Sequence, residues 1–179
     1  MKKIVFVFLC VIMALETTGC GKEKKIEGNK TNTPVSSENR EEKEITWDEI
    51  TKEGVNETLF LENLDTELLE EIASNLQSAI EEETKDEMEN PEIVLTEGWV
   101  RIFKKEQYQK VIAMGKPAMK PLYWILYKSK NNGQYEYLCA KALQEISGIT
   151  FEDKEKGTMG WSTASEYFTL FTEEIIKRR

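Results

Sequence analysis

Leu68, Leu69, Ile72, Ala73, Leu76, Ala79 and Ile80 recur at spacings of three and four. Side chains so spaced share one face of an α-helix. The stretch is therefore an amphipathic helix that must lay its apolar stripe against something else. Glu67, Glu70, Glu71 and Gln77 fill the opposite face. Asp65 is placed to cap the first turn, because a short side-chain oxygen can accept from an otherwise orphaned amide. Glu81, Glu82, Glu83, Asp86, Glu87 and Glu89 follow, and Pro91 comes after them. A run of like charge at a helix end reads as a solvated face.

The same period continues to the C-terminus. Thr46-Trp47-Asp48-Glu49 has the spacing of a capping box and predicts a short helix ending at Gly54. Residues 92–102 are ambiguous, a short strand or a connector around Ile93, Val94 and Leu95, with Trp99 docking on the core. A helix then runs from Lys104 to Gly115. Pro117 opens the next helix, which is apolar on most sides and so is expected to be central. Asn131-Asn132-Gly133 supply a turn. A partner helix buries Tyr135, Leu138, Cys139, Ala142 and Ile146 and stops at Gly148. After a polar loop, Thr163 and Glu166 form a second capping box. The last helix carries Tyr167, Phe168, Phe171 and Ile175 on one face. Lys177, Arg178 and Arg179 complement its dipole. No dependable strand pair emerges, so the expected fold is all-α, built from residues 45–179.

Within this domain, residues 115–148 read GKPAMKPLYWILYKSKNNGQYEYLCAKALQEISG. The Gly-x-Pro-Ala opening, the Pro121-Leu122 step, the short polar turn and Ala140-x-Ala142-Leu143 closed by Gly148 resemble a single HEAT-like helical repeat. The turn lacks the usual Asp, and no second copy appears at the same period. The resemblance implies a packed helical hairpin, with small Ala set against large Leu and aromatic side chains. It implies no particular function.

The N-terminus sets the expected location. Lys2 and Lys3 precede an apolar run over residues 4–15, shorter than the ~20 residues a helix needs to cross a bilayer. This is the pattern of a secretory signal peptide. The run exits through Thr17-Thr18-Gly19-Cys20. That exit resembles the lipobox of bacterial lipoproteins, with Thr17 where the family usually has Leu. The resemblance implies cleavage before Cys20, a diacylglycerol thioether on its sulfur, and an extracytoplasmic domain held to the cell membrane of a bacterium. The alternatives are an uncleaved N-terminal anchor with Cys10 and Cys20 as ordinary thiols, and cleavage without lipid. Residues 20–44 are polar, charged and nearly free of apolar side chains, which predicts a disordered tether spanning roughly 25–30 Å. The chain thus divides into a signal peptide at 1–19, a lipidated tether at 20–44 and a helical domain at 45–179.

Charge and composition narrow the function. The chain has 33 acidic and 24 basic residues, a formal charge of −9. Loss of residues 1–19 makes it one unit more negative. Such a balance argues against nucleic-acid binding, which needs a basic footprint. Lys22, Lys24 and Lys25 could each add about 1 kcal/mol of attraction to anionic lipid, or simply keep the tether solvated. There is no histidine, which excludes Ser-His-Asp and Cys-His catalysis and the His-based zinc sites. Cys139 is left without a disulfide partner and is expected to be buried. The acidic run at 81–89 offers the oxygen ligands that Ca²⁺ takes, but without EF-hand spacing or a turn glycine, so no metal site is assigned. No cofactor motif is present.

Tyr123, Trp124, Tyr127 and Tyr135 are the candidate ligand-binding residues, as an aromatic groove for a glycan or peptide. The competing reading is core packing, with hydroxyls reaching water. The loop from Gly157 to Thr163 leads into a helix whose amides could hold an anion. Two functions fit. One is a non-enzymatic, membrane-anchored module holding a protein or cell-wall partner, which requires an exposed apolar or aromatic patch. The other is a surface hydrolase acting on glycans through carboxylates, which requires two of them in a cleft, one with a raised pKa.

Overall fold

The computed structural model describes residues 45–129, 131–153 and 158–179. Cys10, Cys20, the signal peptide and the tether lie outside the described residues. The described residues cluster as one unit. In chain order the elements are β1 (Ile50–Thr51), β2 (Gly54–Val55), α1 (Glu57–Glu62), α2 (Thr66–Glu89) and α3 (Pro91–Glu97). A 3-10 segment (Trp99–Lys104) leads into α4 (Glu106–Ala113), and a short 3-10 turn (Lys116–Ala118) into α5 (Met119–Lys128). Then come α6 (Gln134–Ser147), β3 (Glu152–Asp153), β4 (Thr158–Met159) and α7 (Ala164–Arg178). The fold is all-α.

The long helix α2 forms for the reasons its sequence suggests. Asp65 Oδ1 accepts from the Leu68 amide at 2.9 Å. Ile72, Leu76 and Ala79 are fully buried. That stripe packs on α4, α5 and α6. The helices α5 and α6 pair most closely with each other, as expected of a hairpin. Pro121 sits in the first turn of α5, where its missing amide has no intrahelical partner to lose. Gly148 ends α6 at φ 67°, a left-handed conformation that a side chain would strain. The last helix α7 packs on α5, α6 and β1. Thr163 and Glu166 form the anticipated capping box. The terminal residue joins the fold, since Arg179 Nη1 donates to the Ile50 carbonyl at 2.7 Å.

Aromatic rings run through the core. Phe60 stacks on Trp124 with centroids 5.0 Å apart. Tyr123 meets Trp47 at 5.4 Å, Phe60 at 5.6 Å and Phe168 at 4.9 Å. Burying a large apolar side chain is worth about 1.5–3 kcal/mol, so this ring system is a main source of cohesion. Cys139 lies inside the same core, fully buried, and burial pushes its thiol pKa up. It behaves as a small hydrophobe and not as a nucleophile.

Three expectations are corrected. Thr46–Glu49 does not start a helix: residues 47–50 form a turn, with the Ile50 amide donating to the Trp47 carbonyl at 3.0 Å, and β1 and β2 pair as an antiparallel hairpin. A capping box needs the glutamate to fold back on the first amide, whereas Glu49 turns inward to Lys120 and Asn63. A second two-residue ladder joins β3 to β4, so strand pairs exist, although both are short. Residues 91–97 are helix and not strand. Pro91 is pre-set for a first helical turn, and the Thr96 hydroxyl donates to the Ile93 carbonyl at 3.2 Å. Among the described residues no helix is long and apolar enough to cross a membrane.

Candidate functional site

Glu83 is the residue on which this site is built. It follows Ile72, Leu76 and Ala79 in the buried stripe of α2, so helical geometry directs a carboxylate into the interior, where it is 1 % exposed. A charge there needs a partner. Arg101, itself 7 % exposed, supplies it. Its Nε and Nη2 both donate to Glu83 Oε1, at 3.1 and 2.5 Å. Lys105 Nζ lies 3.7 Å from Glu83 Oε2, donates to Glu82 Oε1 at 3.2 Å and also pairs with Asp86.

The pairing favours the charged forms of Asp86, Lys105 and Arg101. A hydrogen bond from Lys105 holds the Asp86 carboxyl below its ordinary range. Burial acts to lower the Lys105 pKa, but Asp86 and Glu82 outweigh it and the net direction is up. Glu83 likewise raises Arg101. Buried ion pairs add little net stability compared with apolar packing, but they fix which groups must meet. Here two pins, at residues 101 and 105, hold the Trp99–Lys104 segment against the C-terminal half of α2.

That register decides what faces outward. Arg101 and Ile102 are buried, whereas Trp99 is 42 % and Val100 49 % exposed. Gly98, at φ 68°, makes the sharp turn that separates them from α3. Leu95 on α3 is 87 % exposed and Met88 near the end of α2 is 77 % exposed. These four apolar side chains lie on α2, α3 and the 3-10 segment, three elements that pack on one another and make up this corner of the fold. Trp99 was expected to dock on the core, and it does so in part, remaining 42 % exposed. Its ring meets Phe103 at 5.5 Å and Tyr137 at 5.2 Å, both in edge geometry. Such contacts hold the indole in place while leaving part of it to solvent. Glu89, Glu92 and Glu97, in the same stretch of chain, are exposed, and Glu87 is half-buried.

The acidic run is thus more than a solvated helix end. Glu82, Glu83 and Asp86 face Arg101 and Lys105, and Glu83 is buried. The signal available in sequence was the position of Glu83, in phase with Ile72, Leu76 and Ala79. Among the described residues, no group of three or more acidic or cysteine side chains is arranged to hold a metal ion.

The residues singled out as an aromatic groove lie elsewhere. Tyr123 is fully buried and Trp124 is 8 % exposed, both inside the ring stack. Burial pushes the Tyr123 hydroxyl up to about 12, and Thr172 lies 3.2 Å from it. Tyr127 is half-buried and already engaged: its hydroxyl donates to Glu57 Oε1 at 3.0 Å. Lys128 donates to the other Glu57 oxygen at 3.0 Å and lies over Trp124 at 5.1 Å. Tyr127 also borders a cavity of about 120 Å³ with Ser129, Asn131, Glu136 and Phe168. Glu136 is satisfied there by Ser129 at 2.7 Å and the Gly133 amide at 3.0 Å. Tyr135 is half-buried on α6, with its hydroxyl raised first by burial and then by nearby Cys139. So Tyr123, Trp124 and Tyr127 come together as a packed stack, without an open groove, and Tyr135 shares no described ring contact with them.

The anion-loop idea has a local resolution. The amides of Ser162 and Thr163 donate to Glu166 Oε2 at 2.7 and 3.1 Å, so the chain's own carboxylate fills the position. Residues 154–157 of that loop lie outside the described residues. A second buried acid, Glu49, is 1 % exposed and bound by Lys120 at 2.5 Å and Asn63 at 3.0 Å. Among the described residues, each carboxyl with a displaced titration, at Glu53, Glu57, Asp86 and Glu106, is displaced downward by hydrogen bonds or a neighbouring cation. Compared with family models, with curated proteins and with solved structures, the chain matches none.

Proposed function

We propose that this chain is a bacterial lipoprotein, anchored at the outer face of the cell membrane through lipid on Cys20, whose helical domain is a non-enzymatic binding module. The observation that carries the binding role is the exposure of Met88, Leu95, Trp99 and Val100 on three elements that pack on one another. Clustered exposed apolar side chains of this kind mark interaction surfaces more often than accident. A partly exposed tryptophan is the residue type that most often dominates such contacts. The anchor rests on the resemblance of Thr17-Thr18-Gly19-Cys20 to a lipobox, and the tether would set the module away from the headgroups. The partner is a protein or a cell-wall component. The α5–α6 pair would then be a HEAT-like hairpin used as scaffold.

The glycan-hydrolase reading finds less support. It needs a protonated carboxyl at neutral pH facing a second, ionised one. The displaced carboxyls run in the opposite direction; of the three buried ones among the described residues, Glu49 and Glu83 are each tied to a cation, and Glu136 accepts from Ser129 and the Gly133 amide.

Metabolic labelling with a fatty acid tests the anchor. The full chain expressed in a bacterial cell is expected to take up label and to sediment with membranes. The Cys20→Ala variant is expected to lose both the label and the membrane association. Equal labelling of the two, or recovery of an unlabelled chain still bearing Met1, would contradict the reading.

A further inference from the structure

We infer that the corner formed by Leu95, Trp99 and Val100 docks a basic amphipathic segment of a partner protein, with apolar side chains on one face and lysine or arginine on its flanks. The inference deepens the binding role proposed above and rests on it.

The argument is one of charge around an apolar centre. Glu89, Glu92 and Glu97 are exposed in the same stretch as the apolar side chains, with Glu87 half-buried beside them. The cations nearby are mostly committed. Arg101 is held by Glu83, Lys105 by Glu82 and Asp86, and Lys85 pairs with Glu89 at 3.8 Å. Lys104 is the exposed cation left in the segment. The exposed charge of residues 87–104 is therefore net negative, while Leu95, Trp99 and Val100 in the same stretch are apolar and exposed. An apolar centre with a charged rim is the usual anatomy of a protein interface, and the rim sets partner choice through complementary charge.

The same charges weigh against other occupants. An anionic bilayer would be repelled by the carboxylates of this stretch. A two-fold contact with a second copy would bring like rims together. A basic helix with an apolar stripe meets both requirements, because its aliphatic face covers Trp99 and its flanking cations reach the carboxylates.

The test uses the full chain and two synthetic helices of identical apolar pattern, one of Leu and Lys and one of Leu and Glu. Binding is read by fluorescence anisotropy of the labelled helix. The Leu-Lys helix is expected to bind and the Leu-Glu helix not to bind. Trp99→Ala is expected to weaken binding roughly tenfold or more. Glu92→Gln with Glu97→Gln, both at exposed positions, is expected to weaken it less and to flatten its salt dependence. Circular dichroism of each variant checks that the fold is retained. Equal binding of the two helices, or binding indifferent to Trp99→Ala, would overturn the inference. So would self-association of the chain, or uptake by vesicles of anionic lipid, if Trp99→Ala abolished either one. A partner cross-linked at Leu95 in cells that presents an acidic or uncharged segment would sink this inference and leave the binding role standing. Absence of any ligand at this corner would sink both.

Discussion

Replacing Arg101 with methionine is expected to destabilise the domain by about 3–5 kcal/mol, the range for stranding one member of a buried ion pair. The loss arises because Glu83, 1 % exposed, would be left in the interior without the two donors that now meet Oε1. Lys105, 3.7 Å from Oε2, softens the loss and does not remove it. Replacing both Glu83 and Arg101 with methionine is expected to restore stability to within about 1 kcal/mol of the parent, because the desolvation penalty leaves with the pair. Urea unfolding followed by far-ultraviolet circular dichroism reads both effects, provided that the slope is unchanged. The double variant has a second consequence. It keeps the fold but loses a pin on the Trp99–Lys104 segment, so binding at the apolar corner is expected to fall even where stability does not. An Arg101→Met variant as stable as the parent would mean that water reaches the pair.

Tyr123→Ala is expected to cost about 3–5 kcal/mol, the usual range for emptying a buried aromatic site. The ring contacts Trp47, Phe60 and Phe168 at 4.9–5.6 Å, and its neighbours on α5 and α7 cannot all close the gap. Tyr123→Phe removes only the hydroxyl near Thr172 and is expected to cost about 1 kcal/mol. Equilibrium unfolding of the two variants distinguishes a structural tyrosine from a ligand-binding one. If Tyr123→Ala left stability unchanged, the residue would have to lie at a surface after all.

The features legible in the sequence are those whose causes are local. Asp65 caps α2, Thr163 and Glu166 cap α7, and Gly148 closes α6, because each device acts across three or four residues of chain. The stripe through Ile72, Leu76 and Ala79 was legible for the same reason. What the sequence obscured depends on partners far along the chain. Glu49 has the spacing of a capping residue, but Lys120, more than sixty residues on, draws it inward. Glu82, Glu83 and Asp86 look like a solvated tail until Arg101 and Lys105 fold back on them. The aromatic residues at 123 and 124 admitted a groove beside the favoured core reading, because periodicity shows that a face is apolar and not what covers it. Trp99 shows the reverse. Its segment lacked a clear period, and only the ion pairs beneath it fix which side chains turn outward.

Oxidative footprinting of the tryptophans, comparing the purified full chain with the chain in place on intact cells, tests the central claim most directly. Trp161, 3 % exposed, and Trp124, 8 % exposed, serve as internal references that should react slowly in both states. Trp99 is expected to react readily in the purified chain and to be protected on cells, where its partner covers it. Equal reactivity of Trp99 in the two states would show that nothing occupies the corner and would contradict the account.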